Sequence, residues 1–297
     1  MPLVTTSELY KDAERLGYGL GAYDTGGGQI DLIEAIFQAA EEMSSPVIIS
    51  DGYEAIEKYF GLEYFVTIVK MRAARSGVPV ALHLDHAFKF EYIIRALRSG
   101  FTSVMFDGSR LPYEKNVEIT RKVVEVARAV DVTVEAELGN VGGLEGDTHS
   151  FTDESLYTDP NVAQDFVEKT GIDSLAPAIG NAHGFYTQEP RLDFERLKRI
   201  REKVRIPLVL HGATGIPLDD LKKAINLGIR KINLATVVHH TYVEGVKEYL
   251  KRHPGDDRNL FRGARKPLKK LITEQIKVFG SARKQWEKAL RVGKGMR

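Results

Sequence analysis

No cysteine occurs among the 297 residues. Disulfides and thiolate catalysis are therefore excluded, and any bound metal must be held through nitrogen and oxygen. Long apolar runs are also missing: none approaches the ~18 residues that a membrane span requires. The opening stretch MPLVTTSELYKDAERLG carries charges where a secretion signal needs an apolar segment. Charge of one sign is absent as a block. Lys and Arg number 42 against 41 Asp and Glu, a formal net charge of +1, which offers no basis for general nucleic-acid or membrane-surface binding. These absences lead to the expectation of a soluble cytoplasmic protein. With 43% hydrophobic residues and no long linker, one domain over residues 1–297 with a large core is expected.

What the chain does contain is an alternation. Eight short apolar runs read as strands: GLGAYD (19–24), PVIIS (46–50), PVALHLD (79–85), SVMFD (103–107), TVEAEL (133–138), SLAPAIG (174–180), PLVLHG (207–212) and KINLAT (231–236). The stretches between them have helical spacing; IDLIEAIFQAAEEM places Leu32, Ile33, Ile36, Phe37 and Ala40 on one face. Strand then helix, eight times over, predicts an α/β fold, a (β/α)8 TIM barrel. Residues from about 238 to 297 then form C-terminal helical additions. They comprise a helix to about His253, a charged loop HPGDDRNLFRGARKP, and a helix from about Leu268 to Leu290, free to pack against another subunit.

Active sites of such barrels lie at the carboxyl ends of the strands. Nearly every predicted strand ends in a polar residue there: Asp24, Ser50 or Asp51, Asp85 with His86, Asp107, Glu137, His183, His211, and Asn233 with Thr236. Imidazoles gathered from three strands, His86, His183 and His211, suit one metal ion whose ligands converge from several directions. An acid beside the first of them, Asp85, suits proton transfer at whatever that metal polarises. Strand alternation puts His83 on the face of Asp85, as a supporting or core residue, and leaves His86 to be turned inward by the loop. His149, His239, His240 and His253 lack matching partners and read as surface residues.

Two histidines are followed by glycine, in NAHGFY (181–186) and LHGATG (210–215). Glycine lets backbone amides approach an anion closely, and LHGATGIP leads into a helix whose N-terminal amides favour negative charge. Asn233 and Thr236 add a further strand end, in the region where this fold recurrently binds phosphate. VEAELGNVGGLEGD (134–147) leaves its strand with Glu135 and Glu137 on one face, then runs through glycines to Glu145 and Asp147. That composition fits a mobile lid delivering a carboxylate. Tight turns and a solvated loop are the plain alternatives for these segments.

Taken in order, HLDH, AELGNVGGLE, AIGNAHG, VLHGATG and KINLAT resemble the class II, zinc-dependent ketose-bisphosphate aldolases, which act on fructose or tagatose 1,6-bisphosphate. The resemblance runs from Gly19 to the C-terminal FGSARK. It implies a catalytic zinc on His86, His183 and His211, polarising the ketose carbonyl and stabilising the enediolate left when C3–C4 breaks. It implies Asp85 as the acid/base at the C4 oxygen and Glu145 as the lid residue exchanging a proton with the dihydroxyacetone phosphate carbon. Asp107 and Glu137 match a secondary metal position. Gly184, Gly212, Ala213, Thr214, Asn233, Ala235 and Thr236 match the segments holding one phosphate, beside which some members bind Na+ or K+. A basic residue from the C-terminal region holds the second phosphate in the family, sometimes across a subunit boundary; Arg258, Arg262 and Arg265 are the candidates. Homodimers or homotetramers are implied.

Departures from the family pattern cluster near the substrate. Asp24 and three glycines stand in an amide-rich segment, SDGYEAIEKYFGLEY is lengthened after Ser50 and Asp51, Val237 replaces an acid, and Asn181-Ala182 replaces Thr-Ser. Asp24 would repel a phosphate yet can accept a hydrogen bond from a sugar hydroxyl. The expected activity is reversible cleavage of a ketose 1,6-bisphosphate, fructose 1,6-bisphosphate first, to dihydroxyacetone phosphate and glyceraldehyde 3-phosphate. A metal-dependent epimerase or isomerase (or an aldolase) acting on a free or monophosphorylated ketose stays open as an alternative. So does a non-catalytic sugar-phosphate-binding subunit.

Overall fold

The computed structural model describes residues 3–142, 148–149, 156–284 and 286. Eight parallel strands close into a barrel in the order β1-β10-β9-β7-β5-β4-β3-β2. They are β1 (Leu20–Asp24), β2 (Val47–Gly52), β3 (Val80–Ala87), β4 (Ser103–Phe106), β5 (Thr133–Leu138), β7 (Ser174–Pro177), β9 (Leu208–Leu210) and β10 (Ile229–Leu234). Each overlaps a predicted strand. Two short strands, β6 (Thr148–His149) and β8 (Phe185–Tyr186), pair in parallel and join the loop after β5 to the loop after β7.

Helices α2 (Ile30–Met43), α5 (Phe90–Ser99), α6 (Tyr113–Arg128), α7 (Pro160–Thr170), α8 (Phe194–Lys203) and α9 (Leu218–Asn226) form the connections, and α3 (Tyr53–Tyr59) with α4 (Leu62–Ala73) fills the lengthened segment after β2. An N-terminal helix, α1 (Thr6–Leu16), starts on a capping box in which the Thr5 and Glu8 side chains satisfy each other's backbone N–H. Its Leu9, Tyr10 and Ala13 pack with Leu20, Ala22, Ile48 and Ala81 from β1, β2 and β3, and Thr6 and Ser7 bond to Ser103 and Thr133 where β4 and β5 begin, so α1 plugs the barrel at the amino ends of its strands. No helix among the described residues is long and apolar enough to cross a membrane.

Three predicted boundaries need correction. The run SLAPAIG leaves the sheet at Pro177, not at residue 180, because Gly180 takes a left-handed φ of 93°; His183 therefore sits on a loop instead of a strand end. KINLAT is shifted: β10 ends at Leu234, and Thr236 already opens α10 (Thr236–Arg252). The last helix, α11 (Leu260–Phe279), begins inside the predicted charged loop and includes Pro267. It stops where Gly280 adopts φ 75° and returns its N–H to Ile276 and Lys277. Leu290, the predicted end, lies outside the described residues. Helix α11 packs against α10 and α2.

Candidate functional site

The mouth of the barrel begins with β3. Register with β4 shifts between Leu84 and Ala87, and His86 takes φ +42°. This bulge breaks the alternation, so that Asp85 and His86 line one cavity although they are consecutive. The cavity, about 190 Å³, is also lined by Asp24, Asp107, Glu137 and His183.

The three predicted ligands converge. One nitrogen from each of His86, His183 and His211 lies within 4.8 Å of the others. His86 donates from Nδ1 to Asp107 Oδ2 at 2.9 Å, and His211 donates from Nε2 to Glu135 Oε1 at 2.9 Å. Those bonds leave His86 Nε2 and His211 Nδ1 facing each other at 3.0 Å. His183 Nε2 is buried with no hydrogen-bond partner. A buried orphan nitrogen beside two oriented imidazoles is what a metal ligand set looks like without its ion. The residues fit a divalent cation bound through nitrogen.

Electrostatics agree. Burial lowers the pKa of His183 well below the ordinary histidine range, with the charges of His86 and His211 adding to it. Burial also lowers His211, although its bond to Glu135 opposes the shift. Burial works the same way on His86, but Asp85 and Asp107 outweigh it and raise its pKa to about 10.

Asp85 is buried and accepts two bonds from Asn233 Nδ2, at 3.0 and 3.2 Å. Burial alone would raise its pKa, yet the charges of His86 and Lys231 hold it well below the usual carboxylate range. Glu137 goes the other way, pushed up to about 8 by burial and the neighbouring Asp107. His86, Asp107 and Glu137 form a second group able to hold a metal. Glu145 lies outside the described residues.

The loops read as anion sites are knit together beside this cavity. Tyr186 donates its hydroxyl to Gly212 O, Asn181 Nδ2 donates to His211 O, and Thr214 Oγ1 accepts from Val237 N. Gly184, Ala213, Ala235 and Thr236 lie on the same loops after β7, β9 and β10. Gly212 is required where it stands: at φ +62°, a Cβ would lie 2.2 Å from Ala182 O.

On the β1–β2 side, Asp24 Oδ1 accepts from Gly26 N and pairs with His239 Nε2 at 2.6 Å. His239, read from sequence as a surface residue, is thus part of the mouth. The sequence already puts it on the helix after the last strand, but only barrel closure brings that helix beside the loop after β1. Asp51 is fully buried and braces the glycine turn through Thr25 Oγ1 and Gly27 N. Ser50 Oγ is buried without a partner. Of the three candidate arginines none lines the cavity: Arg265 pairs with Asp31, and Arg258 and Arg262 are exposed. Sequence reasoning also passed over Lys231, whose Nζ lies 2.9 Å from both oxygens of Glu135 inside the barrel.

Comparison with known proteins gives the same picture. Residues 4–284 match the family described as fructose-bisphosphate aldolase class-II. A probable fructose-bisphosphate aldolase of Bacillus subtilis is 43% identical over 286 residues, covering 95% of this chain and 99% of that protein. A fructose-bisphosphate aldolase of Staphylococcus epidermidis is 42% identical over 289 residues, with 95% and 99% covered. Among solved structures, the YdjI aldolase of Escherichia coli K12 superposes with a TM-score of 0.85 at 38% identity, covering 96% of this chain and 100% of the other. Fructose-bisphosphate aldolase from Campylobacter jejuni gives 0.83 at 26% identity, with 96% and 97% covered. A barrel that closes around three convergent imidazoles and a buried carboxylate, in a sequence matched nearly end to end, belongs to the class II fructose-bisphosphate aldolase family, and its chemistry is aldol cleavage.

Proposed function

We propose that the chain performs zinc-dependent, reversible cleavage of a ketose 1,6-bisphosphate, fructose 1,6-bisphosphate first, to dihydroxyacetone phosphate and glyceraldehyde 3-phosphate. The supporting observation is the convergence of His86, His183 and His211, with His183 Nε2 left unpartnered, beside the Asp85 carboxylate held by Asn233. Zinc held there supplies a Lewis acid for the substrate carbonyl. Asp85 takes the proton of the C4 hydroxyl as C3–C4 breaks and returns it on condensation. Asn233 fixes that carboxylate through its two bonds. Asp107 and Glu137 offer a second position for the ion. Glu145 is read as the base exchanging a proton at the dihydroxyacetone phosphate carbon.

The phosphate of that product is assigned to Gly184, Gly212, Ala213, Thr214, Asn233, Ala235 and Thr236, where the loops after β9 and β10 meet the N-terminus of α10. A sodium or potassium ion beside it belongs to the same reading. Arg258 and Arg262, exposed and outside the cavity, would reach a distal phosphate only across a subunit boundary. We therefore read the enzyme as a homodimer or homotetramer.

A coupled assay tests this. Zinc-loaded and chelator-treated protein are offered fructose 1,6-bisphosphate, tagatose 1,6-bisphosphate, fructose and tagatose, and all products are identified. Metal-dependent release of dihydroxyacetone phosphate is expected, and the rate ratio of the bisphosphates names the substrate. A rearranged six-carbon sugar with no three-carbon product would replace this reading with an epimerase.

A further inference from the structure

Below the three histidines the barrel interior carries a layer of charge. Lys231 and Asn233 alternate inward from β10, in register with Leu20 and Ala22 of β1. Asn233 reaches Asp85 in the cavity, and Lys231 lies one layer deeper, fully buried. Its ammonium has three N–H donors and meets three acceptors: Glu135 Oε1 and Oε2, each at 2.9 Å, and His83 Nε2 at 3.1 Å. His83 in turn donates from Nδ1 to Ser103 Oγ at 2.7 Å, and Thr6 of α1 donates to the same oxygen at 3.0 Å. Glu135 Oε1 is also the acceptor for His211 Nε2. An unbroken chain of polar contacts thus runs from the plugging helix to a histidine at the metal centre.

We propose that Lys231 and Glu135 act as a positioning pair that sets the tautomer and orientation of His211, and through them the affinity of the metal centre. A buried ion pair is a poor stability device, since desolvation offsets its attraction. It does have a chemical consequence here. With both of its oxygens facing the Lys231 ammonium, Glu135 is left only to accept from His211, so His211 carries its proton on Nε2 and presents the Nδ1 lone pair to the cavity. Lys231, with an N–H on each oxygen, is the group that fixes the carboxylate in place. Carboxylate partners of metal-bound histidines typically change metal affinity by about 10–100-fold when removed. The unusual element is that the carboxylate is itself held by a lysine reaching across the barrel.

This inference rests on reading His211 as a metal ligand, and the experiment separates the two. Zinc affinity of the full-length protein is measured by competition with a chromophoric chelator. The cobalt(II)-loaded protein is examined by visible absorption, and thermal stability is followed without metal. The variants are Glu135→Gln, Lys231→Met and the double variant. Glu135→Gln is expected to weaken zinc binding about 10–100-fold and to alter the cobalt ligand-field bands. Lys231→Met should do the same, and the double variant should be no weaker than the worse single one, because the two act as a unit. Lys231→Met leaves a buried charge unpaired and could fail to fold; the double variant carries no such charge and then supplies the result. Wild-type affinity and an unchanged cobalt spectrum in Glu135→Gln, with only the melting temperature lowered, would overturn the proposal in favour of a purely structural pair. Failure of the wild-type protein to bind zinc or cobalt would instead remove the underlying reading of His211.

Discussion

Asp85 and His86 are neighbours that strand alternation would send to opposite faces, yet both line one cavity. The left-handed φ of His86 makes this possible, at a strain on the order of 1–3 kcal/mol. Adjacency in space then demands different roles, and variants should separate them. His211→Ala is expected to lose bound metal and cleavage together. Asp85→Ala is expected to keep its metal while cleavage falls on the order of 10²–10⁴-fold; metal analysis beside the coupled assay checks both, and metal loss in Asp85→Ala would make it a ligand instead. A second residue-level expectation concerns Asp24. Its Oδ1 is engaged by Gly26 and His239, and its charge faces the same cavity. Asp24→Asn keeps the shape and removes the charge. It should raise kcat/KM for a substrate with a distal phosphate relative to its monophosphate counterpart, by roughly threefold to tenfold for one unit charge at several Å in a wet site. An unchanged ratio would place the distal group elsewhere. The three histidines and Asp85 were legible in the sequence because each closes an apolar run. Lys231, Glu135 and His239 were not assigned, since their meaning lies in partners 96 and 215 positions away, which only register and closure bring together.

Among the elements, the strands were readable and their ends were not. Apolar runs marked all eight, but where a run leaves the sheet depends on single backbone angles, as at Gly180. The capping box of α1 is visible in the sequence as Thr5 and Glu8, three apart. The α10–α11 boundary misled because Pro267 signals a break, yet it sits inside α11. The loops after β7 and β9 give the sharpest element-level test. Gly212 combines φ +62° with the Ala182 carbonyl 2.2 Å from where a Cβ would stand. Gly212→Ala should therefore cost more than about 1 kcal/mol in denaturant unfolding. It should also weaken zinc binding, because Ala182 precedes His183 in the displaced loop. Wild-type behaviour in both measurements would show that these loops shift independently of the ligand they carry.

The molecule as a whole stacks three layers inside one barrel: apolar contacts with α1, then the Lys231–Glu135–His83 charges, then the mouth with its imidazoles and carboxylates. The upper layers hold polar groups far from water, which folding tolerates only when each finds a partner. Most do, but at the mouth His183 Nε2, Glu137 Oε2, Asn233 Oδ1 and Ser50 Oγ do not. A cation bound by the folded state alone adds RT ln(1 + [L]/Kd), about 4 kcal/mol at 1,000 Kd. For a chain of this size that corresponds to a rise in Tm on the order of 5–10 °C. Calorimetry with zinc and with chelator should show it for the wild-type protein and for Asp85→Ala, whose ligands are intact. His211→Ala should show little of it. Equal melting temperatures with and without zinc in the wild-type protein would mean that the three imidazoles do not form a metal centre, and an undiminished rise in His211→Ala would move the ion to the His86–Asp107–Glu137 group.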